Sequence, residues 1–147
     1  MPLIHGMFDS GALPAAERLV QFTGRRQQVL ADGIAGLSTP YFKPRDLDPK
    51  SFQAALGEAI DHRRRTVSPT RGPLEVGDTR QLRFQADAID ARPQRTNENI
   101  LFHDQNNRDL ERLMQHLAEN TMAHGLGIEL VRNQFEMMRL AIRERIV

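Results

Sequence analysis

The chain has no cysteine among its 147 residues. No disulfide framework and no thiolate zinc site can therefore exist. The same absence suits an exported protein, because nothing can mispair in an oxidising space. Aromatic residues make up only 5% and the mean hydropathy is −0.51, so large core-forming side chains are few. Charge of one sign is lacking too: 20 basic and 19 acidic residues leave a net charge of +1, which gives no global pull toward nucleic acid or an anionic membrane. No run of about 18 apolar residues is present, so no membrane span is expected. The segment MPLIHGMFDSGALPAAERL has neither a basic leading region nor a continuous apolar centre, and does not read as a secretory signal. A phosphate-binding glycine loop, a nucleophile elbow and a zincin signature are all missing. Internal repeats and low-complexity tracts are absent as well.

What is present is a heptad stripe in the last third: Leu110, Met114, Leu117, Thr121, His124, Ile128, Val131, Phe135, Met138 and Ile142. Its spacing alternates four and three, the period that keeps one helix face against a partner helix. A second apolar row, Leu126, Leu130, Met137 and Leu140, falls on nearly the opposite side. A helix that is apolar on two sides is covered on two sides. The helix is expected to start near Asn106 or Asn107, where Asn or Asp can cap it.

A first helix is expected from about Ala12 to Ala35, with Pro14 tolerated in its opening turn. One stripe runs through Leu13, Ala16, Val20, Thr23, Gln27, Leu30 and Ile34, broadened by Leu19, Phe22 and Val29; Arg25 and Arg26 sit mid-helix. Gly33, Gly36 and Pro40 end it. Residues 1–11 read as a flexible leader. The three prolines of residues 37–52 favour extended backbone. A short helix is expected at 50–64, a loop at 61–80, a strand or small hairpin through Leu82, Phe84 and Ala86, and irregular chain over 91–105. The organisation is thus a leader and amphipathic helix (1–40), a polar middle segment (41–105) and a long carboxy-terminal helix (106–147).

Helix lengths limit how much of this apolar surface the chain can cover by itself. At 1.5 Å per residue the last helix is on the order of 60 Å long and the first roughly 36 Å. The first can cover only part of one stripe, and the middle segment is too polar to cover the rest. Leftover apolar surface needs another chain. The apolar pattern continues to Ile142 and Ile146, so that end is expected to order on assembly.

The polar candidates read as structural. No two of His5, His62, His103, His116 and His124 have the i, i+4 spacing of a helical metal site; His124, at a heptad core position, can fix register. The basic run His62-Arg63-Arg64-Arg65, with Arg71 nearby, could contact phosphates. It lacks interleaved aromatics and reads better as a solvated helix end or loop. Asp46/Asp48 and Asp104/Asp109/Glu111 read as caps and surface charge rather than acid–base pairs. Gly125 and Gly127 each cost about 1 kcal/mol relative to Ala inside a helix, for either a close helix approach or a kink.

Two segments together resemble the proximal-rod proteins of the bacterial flagellar basal body, the FlgB family. Residues 25–48, RRQQVLADGIAGLSTPYFKPRDLD, are similar to that family's amino-terminal signature, N-I-A-N-x-x-T-P-G-Y followed by x-x-R-D. Leu30, Ala31, Ile34, Ala35, Thr39, Pro40, Lys43, Arg45 and Asp46 match. Residues 106–142 resemble its carboxy-terminal helix, through Asn106, Asn107, Asp109, Glu111, Arg112, Met114, Leu117, Ala118, Asn120, Phe135 and Met138. The chain departs from the pattern at Gly33 and Gly36, which replace Asn, at Tyr41-Phe42 for Gly-Tyr, at Arg108 for an apolar residue, at Leu113 for Glu, and in the pair Gly125 and Gly127.

The resemblance implies a non-enzymatic building block without cofactor, metal or small-molecule substrate. It implies export through the flagellar type III apparatus without a cleaved signal, and assembly in the periplasm beside other rod proteins and the export-gate/MS-ring base. It implies terminal helices that join an inner tube. The resulting expectation is a mainly α fold: two long terminal helices forming a coiled-coil-like hairpin, with an irregular middle holding a short helix and a small β hairpin. The expected assembly interface is Leu30, Ile34, Thr39, Pro40, Leu117, Ile128, Val131, Phe135, Met138 and Ile142, with Thr39-Pro40 setting the chain reversal. The rival readings are another rod- or hook-family axial protein, and a cytoplasmic helical adaptor using Arg63 to Arg65 on nucleic acid.

Overall fold

A computed structural model of the chain describes residues 9–85, 88–95 and 109–144. Two long helices, α1 (Leu13–Ala35) and α3 (Leu110–Glu144), form an antiparallel hairpin. Between them lie a 3₁₀ turn (Gly36–Ser38), strand β1 (Arg45–Asp46), helix α2 (Pro49–Arg64), strands β2 (Leu82–Phe84) and β3 (Ile89–Ala91), and strand β4 (Gln94–Arg95). The mainly α hairpin with a short helix and a small hairpin in its middle is the expected architecture.

The α1 stripe is the face turned to α3. Leu13, Ala16, Thr23 and Leu30 on it are buried. The neighbouring row has another job. Phe22 is buried with Leu47, Phe52, Leu82 and Ile89, and Leu19 and Val29 pack against that cluster. The Phe22 and Phe52 rings stack with centroids 4.1 Å apart, and Phe84 lies 6.3 Å from Phe52. A second cluster, Ala59, Leu74 and Val76, continues the packing under the loop after α2. α1 is therefore sandwiched between α3 and a small middle module. Each large side chain buried there contributes roughly 1.5–3 kcal/mol.

The middle module is held by short elements with local reasons. Asp48 caps α2, its carboxylate accepting from the backbone N–H groups of Lys50 (3.0 Å) and Ser51 (3.3 Å). β2 and β3 pair antiparallel, Phe84 opposite Ile89, so the expected hairpin forms there; Ala86 lies outside the described residues. β4, in a stretch expected to be irregular, pairs with β1, Asp46 opposite Gln94. The proline-rich stretch is extended only in part, because a 3₁₀ turn precedes it and α2 starts at Pro49.

Two further expectations are corrected. Residues 9–11 are tied down rather than loose. Ser10 bridges Arg71, the Gly11 N–H donates to the Thr70 carbonyl at 2.9 Å, and the Gly72 N–H donates to the Asp9 carbonyl at 3.1 Å. Arg63 adds a donor, its Nη2 reaching the Gly11 carbonyl. Helix α3 starts at Leu110 rather than near Asn106 or Asn107, and Asp109, one of the carboxylates read as caps, caps it by accepting from the Arg112 N–H at 3.0 Å. Asn106 and Asn107 lie outside the described residues, as do His5, His103, Asp104 and Ile146.

Candidate assembly interface

The α1–α3 seam is polar at its centre. Buried Asn120 donates from Nδ2 to the Thr23 carbonyl (2.9 Å) and to Gln27 Oε1 (2.7 Å). Thr23 Oγ1 lies 2.7 Å from the Leu19 carbonyl and 2.8 Å from His124 Nδ1. A hydroxyl has one proton; donated to the carbonyl, it leaves Oγ1 to accept from the imidazole Nδ1–H. Gln27 Nε2 in turn donates to Thr121 Oγ1 at 3.3 Å. His124 thus occupies the register-fixing position expected for it, with Thr23 as its partner. A one-residue slip would unpair this whole set, and an unpaired buried polar group costs about 1–3 kcal/mol.

Toward the carboxy-terminal end of α3 the seam narrows. A Cβ on Gly127 would sit 2.9 Å from Val20 Cγ2. Of the two roles open to the glycine pair, Gly127 therefore serves close approach. Gly125 has nothing within 4 Å of its position and no contact explains it.

Asp46 is not surface charge. Its carboxylate takes a two-pronged ion pair from Arg26, Nε to Oδ1 at 2.9 Å and Nη2 to Oδ2 at 2.7 Å, with side-chain exposures of 7% and 11%. The Leu47 N–H donates to Oδ1 at 2.7 Å, and His116 Nδ1 on α3 lies 3.5 Å from Oδ2. This cluster ties α1, β1 and α3 together, and neither its burial nor its partnership was expected from the sequence. The signal available was the x-x-R-D signature itself: a carboxylate written into a motif that ends a helix needs a cation, and Arg26 was at hand.

The α3 stripe is turned slightly from its expected position. The buried or half-buried residues are Leu113, His116, Leu117, Asn120, Ala123, His124, Gly127, Val131, Gln134 and Met138. Leu117, His124, Val131 and Met138 of the expected stripe lie in the seam. Leu110, Met114, Ile128, Phe135 and Ile142 are 49%, 49%, 41%, 40% and 50% exposed along one flank. The second row, Leu126, Leu130, Met137 and Leu140, is 40–59% exposed along the other flank. At about 100° per residue, the two rows stand roughly 80° and 110° to either side of the seam. Of the remaining expected interface residues, Leu30 is buried, Ile34 half-buried, and Thr39 and Pro40 exposed.

The hairpin arms are unequal, as the length comparison predicted. With 23 and 35 residues, they span roughly 35 and 52 Å. Gly11 stands against Gln134, so residues 135–144 run on beyond the start of α1.

Departures from the signature meet one another in space. A Cβ on Gly33 would lie 3.9 Å from Leu113, and one on Gly36 would lie 2.6 Å from the Phe42 ring. Tyr41, in place of the signature's Gly, has φ 59° in a turn closed by the Phe42 N–H and the Thr39 carbonyl at 3.3 Å. Proline second and positive φ third is the pattern of a type II turn, whose third position favours Gly. Holding a side chain there costs roughly 1–2 kcal/mol.

The basic run does not gather. Arg63 is spent on Gly11, and Arg64 pairs with Asp61 at 3.5 Å on the surface. Among the described residues no group of His, Asp or Glu forms a metal site, and no helix is long and apolar enough to cross a membrane.

No family model matches the chain. A relative does: the flagellar basal body rod protein FlgB of Borrelia hermsii is 30% identical over 132 residues, spanning 87% of this chain and 93% of its own length. That similarity, over most of both chains, makes this chain a member of the FlgB family of flagellar basal-body rod proteins.

Proposed function

We propose that this chain is a structural, non-catalytic subunit of the flagellar rod, and that it assembles through its terminal segments. The observation that carries the reading is the pair of exposed apolar rows on α3. The α1 seam already occupies the face between them, and Leu110, Met114, Ile128 and Ile142 on one flank and Leu126, Leu130, Met137 and Leu140 on the other support contacts with different neighbours. Exposed large apolar side chains repeated along a helix flank suit contact with another chain. Residues 1–40 and 106–147 act as the assembly segments. Within the middle segment, 41–105, the cluster of Leu47, Phe52, Leu82 and Ile89 braces α1 from outside. Leu30, Ile34, Leu117, Val131 and Met138 pack the hairpin; Ile128, Phe135 and Ile142 meet neighbours; Thr39 and Pro40 reverse the chain at the hairpin's end.

The partners are further copies of this chain, other rod proteins, and the export-gate/MS-ring base. The setting is the periplasmic basal body, reached by flagellar type III export without a cleaved signal. Deleting residues 136–147 is expected to abolish motility while the remaining chain still folds, and in the isolated full chain the amides of 135–144 should exchange far faster than those of 113–131. Normal swimming of the truncated strain, or full protection of 135–144 in a monomer, would sink the reading.

A further inference from the structure

A groove of about 520 Å³ lies between the end of α1, the turn after it and β4. Three cations line it, Lys43, Arg45 and Arg95, against one carboxylate, Asp32. None of the three cations makes an ion pair among the described residues. Val29 and Phe42 supply apolar wall. At its rim stands Tyr41, 72% exposed and held at positive φ.

Two independent features separate this groove from an ordinary solvated surface. Like charges collected around one concavity repel one another, and here three cations face a single carboxylate. And the turn places a bulky aromatic in a conformation that glycine adopts freely, yet leaves that ring in water. An exposed aromatic beside unpaired cations is suited to binding, because ring and charges recover their cost only when covered. Asp32 in the lining disfavours a continuous phosphate chain and fits a ligand with spaced charges.

We propose that this groove docks an acidic segment of a partner polypeptide, whose carboxylates meet Lys43, Arg45 and Arg95 and whose apolar side chain packs against Tyr41. The site is separate from the apolar rows of α3 and stands whether or not those rows build a rod.

The chain supplies its own probe. Tyr41 is its sole tyrosine and there is no tryptophan, so tyrosine emission reports on this groove. The full chain is titrated with a short glutamate-rich peptide carrying one central phenylalanine. A saturable change in emission is expected, weakening as salt is raised. The double variant Lys43→Glu/Arg95→Glu should lose at least tenfold in affinity while keeping its helical circular dichroism. With a labelled peptide followed by anisotropy, Tyr41→Gly should bind several-fold more weakly although its thermal midpoint does not fall. The proposal is overturned if the glutamine version of the peptide binds equally, if charge reversal leaves affinity unchanged, if Tyr41→Gly binds as well as the parent, or if a single-stranded oligonucleotide of similar length binds more tightly than the peptide.

Discussion

The two sides of α1 are built from different materials. Its outer side is a conventional apolar core, with Phe22 stacked on Phe52 and Leu47, Leu82 and Ile89 closed around them. Its inner side meets α3 through apolar residues at both ends of the seam, Leu13, Ala16 and Leu30 among them, but through Asn120, Thr23, Gln27, His124 and a glycine at its centre. Apolar burial is strong and tolerant of register; hydrogen bonds in a seam are weaker and demand one register. The chain thus draws stability from the small middle module and geometry from the long hairpin. The seam settles the hairpin's shape with that polar set and with Leu113, Leu117, Val131 and Met138 beside it, while the two rows of exposed apolar side chains of α3 stay on the flanks.

The comparison breaks most decisively at its apolar side. Phe52→Ala removes the ring between Phe22 and Phe84 and should cost about 3–5 kcal/mol. Denaturant unfolding should register the loss as a lower midpoint with both long helices melting together. If α1–α3 survived alone, the module would not be the anchor of the hairpin. Next in size is Asp46→Asn, which leaves the buried Arg26 guanidinium facing a neutral amide. Losing one member of a buried ion pair costs about 3–5 kcal/mol when the charge stays trapped. Asn retains some hydrogen bonding, so a loss near about 3 kcal/mol is expected in the same unfolding measurement. A change under about 0.5 kcal/mol, the size of an ordinary surface substitution, would return Asp46 to the surface role its polar surroundings suggested.

The legibility of the sequence followed the same division. The α1 stripe could be read because period and burial coincide from Leu13 to Leu30. Caps could be read at Asp48 and Asp109, since short polar side chains before a helix have few other uses. On α3 the period was right but the face was turned, because the largest side chains are on the flanks and the seam uses Asn120, Gly127 and Gln134. Equating apolar with inside fails because much apolar surface of a folded chain stays exposed. The module core was illegible: Leu47, Leu74, Val76 and Ile89 come singly from short elements and carry no period. The Arg26–Asp46 pair, 20 residues apart, has no local signature beyond the motif that contains Asp46.

The smallest expected effect gives the sharpest comparison, because it is a difference within one helix. Gly125 and Gly127 stand two positions apart in α3, so Gly→Ala lowers the entropy of the unfolded chain and raises helix propensity by the same amount at each. That shared gain is about 1 kcal/mol. At Gly125 nothing lies within 4 Å of the added methyl, and the full gain should appear, raising the thermal midpoint by roughly 3 °C for a chain of this size. At Gly127 the methyl meets Val20 Cγ2 at 2.9 Å. Val20 is β-branched and has little rotamer freedom on a helix, so the hairpin must open or Val20 must strain. Overpacking of this kind costs about 1–3 kcal/mol and cancels or reverses the gain. The two variants should therefore separate by about 1–3 kcal/mol, with Gly125→Ala the more stable. Because the unfolded-state and propensity terms are common to both, that separation measures the closeness of the seam alone. Equal midpoints would mean that α3 does not approach α1 at Gly127 as closely as a glycine allows.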